Sequence, residues 1–507
     1  MRTKKLTALL LALLMTVPGF VSCGDSAPAD TGTSAEADAA DTVSVENEVP
    51  EETEPDILDG LNYNGSAFRI RTSDTTISSN YLIEGSGELN GDVVNDTVFE
   101  RNLEVAETLN VKFEYIHTNN NWDKVYQEIQ TLIMSGDAGC DLIIDDQRGM
   151  STASIDRMFI DGASLATMNF AEGCWWDSYM KNLSIDYKSI YLLAGDYFMD
   201  VLNRSQALLY NRDMYRDLYG DPDDLYKTVA EGKWTYDAWL PLIEGAYMDV
   251  NGNTNADADD TYGMIVGGIG GSVFPFVYGT DIPYVSRDEE GYPTLTMYCD
   301  RLVNLYDNIY HLFYNSGTRT NYAENGEDLH TKFRSAGALF ISGTGLGDFG
   351  KFRDMEAEIG IIPNPKLDEA QDTYRTVVWD TAELGAIPIT APDPAMSGAV
   401  VQMLCRVTHE TLLPAYYETS LKIKYARDDY TSGMIDLIYN GIADMFCIVY
   451  GGAYAGDIFT WTILGPLQRK ENSITSEYQT REKPAIKNLQ RLVETYQETA
   501  VPEFSAP

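Results

Sequence analysis

Between Asp249 and Asp260 oxygen-bearing side chains recur at alternate positions. Asp249, Asn251, Asn253, Asn255 (through its carbonyl), Asp257 and Asp260 stand at positions 1, 3, 5, 7, 9 and 12 of a loop, the spacing at which hard oxygen donors wrap a calcium ion. Thr254 replaces the glycine such loops use for their sharp turn, and Asp260 is shorter than the usual bidentate glutamate. An acidic turn without an ion is therefore the competing reading, and any calcium here would be structural. A second set of residues has the chemistry of a binding site. Carboxylates and amides exchange paired hydrogen bonds with polar ligands, and aromatic faces stack on apolar ring faces. Asp74 and the run Asp145-Asp146-Gln147 follow strand ends, and Asp196, Asp348 and Asp380 are further candidates. Trp122, Trp175, Trp176, Tyr197, Trp379, Tyr450 and Trp461 are the candidate platforms. Each has a plainer alternative, strand-end turn chemistry for the polar residues and core packing for the aromatics. Trp379-Asp380 is the favoured pair and Asp196-Tyr197 the next.

Composition removes several classes of function. Lys and Arg number 36 against 78 Asp and Glu, a formal net charge of −42. Nucleic-acid binding needs a basic footprint, so it is excluded, as is electrostatic adhesion to anionic lipid. The four histidines, His117, His311, His330 and His409, show no H-E-x-x-H spacing, which leaves a zinc hydrolase without support. No G-x-S-x-G elbow occurs. Gly345-Leu-Gly-Asp-Phe-Gly350 has G-x-G-x-x-G spacing, but the following strand ends in Ile361-Ile362-Pro363-Asn364, without the acid that would hold a ribose. A tight or ligand-approaching turn carrying Asp348 is expected instead. Some carboxylate pair will always sit at glycosidase separation in so acidic a chain, so a secreted carbohydrate-active hydrolase stays open as the alternative. Beyond Cys23 the cysteines are Cys140, Cys174, Cys299, Cys405 and Cys447; buried thiols are expected, with one disulfide left open.

The elements that must position these residues alternate in type. Residues 67–72, 111–116 and 141–144 read as strands, separated by helices over about 94–109 and 122–134. Strand, helix, strand at these lengths means crossover connections and a parallel sheet. Further strands are expected at 207–210, 336–341, 359–362 and 384–389. Helices are expected at 234–247, 395–407, 413–425, 432–438 and 483–497.

The N-terminus reads as an export signal. Arg2, Lys4 and Lys5 form a basic head before an apolar stretch over 6–17, too short to span a membrane as a mature helix. Val21-Ser22 directly before Cys23 resembles the lipobox of bacterial lipoproteins, although Phe20 departs from the leucine most common there. The resemblance implies a signal peptide over 1–22 and a lipidated Cys23, on the outer face of a bacterial cytoplasmic membrane. An ordinary signal peptide is the alternative. Residues 23–60 are acidic, with no Lys or Arg before Arg69, and read as a disordered tether.

From residue 62 to about 500 the order of elements resembles extracellular solute-binding proteins of carbohydrate ABC importers, the maltose-binding-like group. The blocks that carry it are Phe99-Glu-Arg-Asn-Leu-Glu-Val-Ala-Glu-Thr-Leu-Asn-Val-Lys-Phe-Glu-Tyr115, Gln206-Ala-Leu-Leu-Tyr-Asn-Arg-Asp-Met-Tyr215, Gly232-Lys-Trp-Thr-Tyr-Asp-Ala-Trp239 and Glu356-Ala-Glu-Ile-Gly-Ile-Ile-Pro-Asn-Pro-Lys366. The resemblance implies an α/β, two-lobed periplasmic-binding-protein-like fold with a hinge and an interlobe ligand cleft. Lobe 1 would comprise 61–206 plus about 385–440, and lobe 2 207–384 plus about 441–507. It implies a monomeric, non-enzymatic receptor that needs no cofactor. Its partners would be a carbohydrate ligand, an oligosaccharide above all, the permease subunits of an ABC importer, and the membrane through its lipid anchor.

Overall fold

The strand β1 (Ser66–Ser73) buries Phe68 and Ile70 completely, and it organises the first sheet. β2 (Val111–Thr118) pairs with it in parallel along its whole length, from Ser66 opposite Val111 to Ser73 opposite Thr118. β3 (Leu142–Asp146) pairs in parallel on the other side. Parallel neighbours need a crossover, and the helices Val93–Leu109 and Val125–Met134 supply it. The first is delimited by its caps: the Asp92 carboxylate accepts the Asn95 N–H, and Asn110 closes the other end in the left-handed region.

This computed structural model describes residues 55–73, 79–118, 121, 123–320, 328–352, 354–417, 429–442, 445–452 and 457–499. Cys23, Asp74 and Trp122 lie outside the described residues. The chain leaves the first sheet after Ser205 to form β4 (Gln206–Asn211), then β5 (Tyr262–Ile265) and the small hairpin of β6 (Val285–Arg287) and β7 (Pro293–Leu295). β8 (Thr318–Arg319), β9 (Ala338–Gly345) and β10 (Ile359–Ile362) complete the second sheet, in the order β10-β4-β9-β5-β8. The chain then returns. β11 (Glu383–Ala386) adds antiparallel to β3, so the first sheet runs β11-β3-β1-β2. The outgoing and returning segments lie side by side, with Ser205 bridged to Val378 and the Gln206 N–H donating to the Val377 carbonyl at 2.9 Å. That pair of segments is where the chain passes between the two sheets.

Three expectations need correcting. Residues 55–60 belong to the folded body and not to the tether, because Asp56 accepts hydrogen bonds from Arg406 at 2.8 and 2.9 Å and Leu58 packs on the core. The helix Asp429–Asn440 packs on β10 and the helix Asp223–Ala230, so it goes with the second sheet, not with the first as a boundary near 440 placed it. The last helix runs from Ile474 to Glu498, straight through Pro484, which had read as a first-turn residue. It joins both lobes. Tyr478 near its start stacks on Tyr298 beside the helix Asp300–Tyr314, while near its end Tyr496 lies under the Arg157 guanidinium of the first lobe, 3.6 Å from it. Cys140, Cys174, Cys405 and Cys447 are buried free thiols, and Cys299 is a half-buried one.

Candidate functional site

Trp379 sits on the returning crossing, and backbone groups from both directions hold it. Its N–H donates to the Arg204 carbonyl at 3.1 Å, and its own carbonyl accepts the Ala382 N–H at 3.0 Å and Gln147 Nε2 at 3.0 Å. The half-buried indole rests on two glycines of the second lobe. A Cβ on Gly271 would stand 3.2 Å from Trp379 Cζ3, and one on Gly343 3.8 Å from Cζ2. Any side chain on Gly271 would crowd the ring.

The loop after β3 meets the same spot from the first lobe. Asp146 caps the helix Gln147–Ile155 by accepting the Arg148 N–H at 3.0 Å, and its other oxygen takes Arg148 Nη2 at 2.7 Å. Arg148 Nη1 reaches across to Asp380 Oδ2 at 2.9 Å. The result is a carboxylate–guanidinium–carboxylate chain beside the indole. Burial pushes the Asp380 carboxyl up, against the opposing pull of Arg148. An aromatic face next to charged donors and acceptors, with contributions from both lobes, can hold a ring that carries hydroxyls.

The other expected residues play different parts. Gln147 is fully buried, accepts the Tyr179 hydroxyl at 2.9 Å and positions the Trp379 backbone. Asp145 points into the first lobe, where Arg71 Nη1 lies 3.6 Å away and burial pushes its carboxyl up to about 6; strand alternation puts it on the face opposite Asp146. Asp196 is buried with both oxygens engaged, one by Trp176 Nε1 at 3.1 Å and one by His409 Nδ1 at 2.6 Å. Tyr197 and Tyr450 are core tyrosines, their hydroxyls donating to the Leu193 and Leu183 carbonyls at 2.8 Å each. Asp348 accepts the Gly345 N–H at 3.2 Å and pairs with Lys351 at 2.8 Å, closing its own turn. Trp461 stays 38% exposed in the first turn of the helix Ile458–Gln468.

Two parts of the site went unread in the sequence. One is the run Gly267-Gly268-Ile269-Gly270-Gly271 after β5, whose density of glycine is itself the signal of a close approach. The other is a buried cluster at the crossing. Ser79 donates to buried Asp200, which also accepts the Glu383 N–H at 2.7 Å and lies 3.4 Å from Arg204 Nε. Burial pushes the Asp200 carboxyl up.

The Asp249–Asp260 loop is wired to itself. Asp249 accepts the N–H groups of Gly252 at 2.7 Å and Thr254 at 2.8 Å, and Thr254 adopts the left-handed conformation (φ 64°) expected of the glycine it replaces. Asn251 and Asn253 donate to Asp257, while fully buried Asp260 accepts the Val250 N–H and the Tyr247 hydroxyl, both at 3.2 Å. Asn255 donates its side-chain amide to the Asn253 carbonyl at 3.3 Å. Among the described residues, no three His, Cys, Asp or Glu side chains gather closely enough to hold a metal by themselves.

No family model matches this chain, and no curated protein does. Solved structures do. The maltose/maltodextrin-binding domain MalE of Bdellovibrio bacteriovorus, bound to maltotriose, is similar at 12% identity over 84% of this chain and 100% of its own, with a TM-score of 0.51. A cyclo/maltodextrin-binding protein complexed with maltotetraose is similar at 13% identity over 86% and 98%, TM-score 0.53. UgpB of Mycobacterium tuberculosis, in complex with glycerophosphocholine, is similar at 12% identity over 85% and 98%, TM-score 0.54. The fold is that of the two-lobed solute-binding proteins. In this chain the two crossings meet at Ser205 and Val378, and Trp379 follows Val378 directly. No helix among the described residues is long and apolar enough to cross a membrane.

Proposed function

We propose that this protein is an extracellular receptor that captures a carbohydrate between its lobes and hands it to an ABC importer, with no bond chemistry. The observation that carries this reading is the placement of Trp379. Its indole lies on Gly271 and Gly343 of one lobe while Arg148 of the other reaches Asp380 beside it. A ligand stacked there touches both lobes at once. Such contacts exist only in the closed form, so they shift the population toward it by the difference in affinity between closed and open states. Two of the similar structures hold maltotriose and maltotetraose, which favours an oligosaccharide. Lipidation at Cys23 would tether the body to the outer face of the membrane, and a calcium ion in the Asp249–Asp260 loop would be structural. A thermal-shift screen of the purified body against mono- and oligosaccharides tests the reading, because a ligand that binds only the native state raises the midpoint. At least one sugar should raise it saturably; a flat panel, or hydrolysis of the hit, contradicts it.

A further inference from the structure

A pocket of about 320 Å³ lies between the β6–β7 hairpin of the second lobe, residues 182–187 of the first, and the helix Phe446–Gly451. Its size is at the lower end of ligand-sized clefts, about 300–1,000 Å³, which suits a single sugar ring. The roof is built. Arg287 of the hairpin donates to the backbone carbonyls of Asn182 at 2.6 Å and Ser184 at 2.9 Å, and its guanidinium lies over the rings of Phe446 (5.0 Å) and Tyr187 (5.4 Å). Gly291 at the hairpin tip lets the two lobes touch: its φ is +94°, and a Cβ there would stand 2.4 Å from the Asp186 carbonyl oxygen.

The charge inside is unusual for a chain of net charge −42. Arg287 spends its donors on the roof. Asp281 is neutralised by Arg301 at 2.5 Å. Arg375 lines the same pocket and, among the described residues, donates to a single acceptor, the Thr280 carbonyl at 3.2 Å. One guanidinium therefore faces the cavity with most of its fork uncommitted, among the rings of Tyr187, Tyr278, Tyr284 and Phe446. A guanidinium fork matches a carboxylate through two parallel hydrogen bonds, and the aromatic walls suit the apolar face of a pyranose. Arg287 has its donors on backbone carbonyls, so Arg375 offers the free fork, and one planar fork matches one carboxylate.

We infer that this pocket is a second carbohydrate subsite, selective for a uronic acid whose carboxylate is held by Arg375. For its ligand class the inference rests on the sugar-receptor reading above. Titration calorimetry of the full chain with sodium D-glucuronate and D-galacturonate tests it, with D-glucose, D-galactose and inorganic phosphate as controls. A uronate should bind more tightly than its neutral counterpart and than phosphate. Arg375→Gln should weaken uronate at least tenfold and erase that preference, and Arg375→Lys should restore part of it. Melting curves on the same samples establish that the variants are folded. No uronate binding, equal binding of acid and neutral sugar, tighter binding of phosphate, or uronate binding indifferent to Arg375→Gln each overturns the inference. If neutral oligosaccharides still bind in such a case, the receptor reading survives; if no carbohydrate binds at all, that reading fails as well.

Discussion

On the proposed reading Trp379 serves recognition and Asp145 support, although both were picked out by the same sequence logic. A core tryptophan replaced by alanine costs about 3–5 kcal/mol. Trp379 is half-buried on two glycines, so Trp379→Ala should cost about 1–2 kcal/mol in urea unfolding. It should nevertheless lower affinity for the sugar found by screening at least tenfold, because stacking area and desolvation are lost together. A collapse in stability with unchanged affinity would assign the residue to the core. Asp145 behaves differently. Burial raises its folded pKa to about 6, above the unfolded value of about 3.9. Its contribution to stability is therefore fully present below about pH 4 and is lost as pH rises through 6. Asp145→Asn removes that loss: relative to wild type it should gain on the order of 2 kcal/mol between pH 4 and pH 7. A difference between the two proteins that does not change with pH would contradict the buried-carboxylate account.

The strands were legible because their apolar runs are dense and their ends are marked. β1, β2, β4 and β10 fall within two residues of where periodicity placed them. Loops were not, since a carboxylate after a strand reads the same whether it caps a helix, as Asp146 does, or turns into a lobe, as Asp145 does. The pairing of Asp146, Arg148 and Asp380 spans more than two hundred residues of chain and leaves no local trace. Tyr197 and Tyr450 were indistinguishable from platforms because a tyrosine shows its role only through what accepts its hydroxyl. The Asp249–Asp260 loop is the element whose role metal binding decides. If it holds calcium, the ion should raise the melting midpoint and EDTA should lower it, and Asp249→Ala should abolish both responses. Identical melting in calcium and chelator leaves the hydrogen-bonded acidic turn as the whole of its function.

For the molecule as a whole, Asp56 and Leu58, among the first described residues, already engage Arg406 and the core. Deleting residues 24–54 should leave the melting midpoint unchanged, whereas deleting 24–58 should lower it by a few degrees. An equal effect of the two deletions would return residues 55–58 to the tether. The long helix Ile474–Glu498 and the Arg287 roof both join the lobes, so on the proposed reading opening would break or bend these contacts and ligand would repay that cost through contacts of its own. The central claim is capture without chemistry. Its most direct test is titration calorimetry of the body with a maltodextrin series, followed by chromatography of the recovered ligand. The account predicts saturable binding of at least one oligosaccharide, recovered intact and bound at least tenfold more weakly by Trp379→Ala. Cleavage of the oligosaccharide, or binding that ignores Trp379, would contradict it.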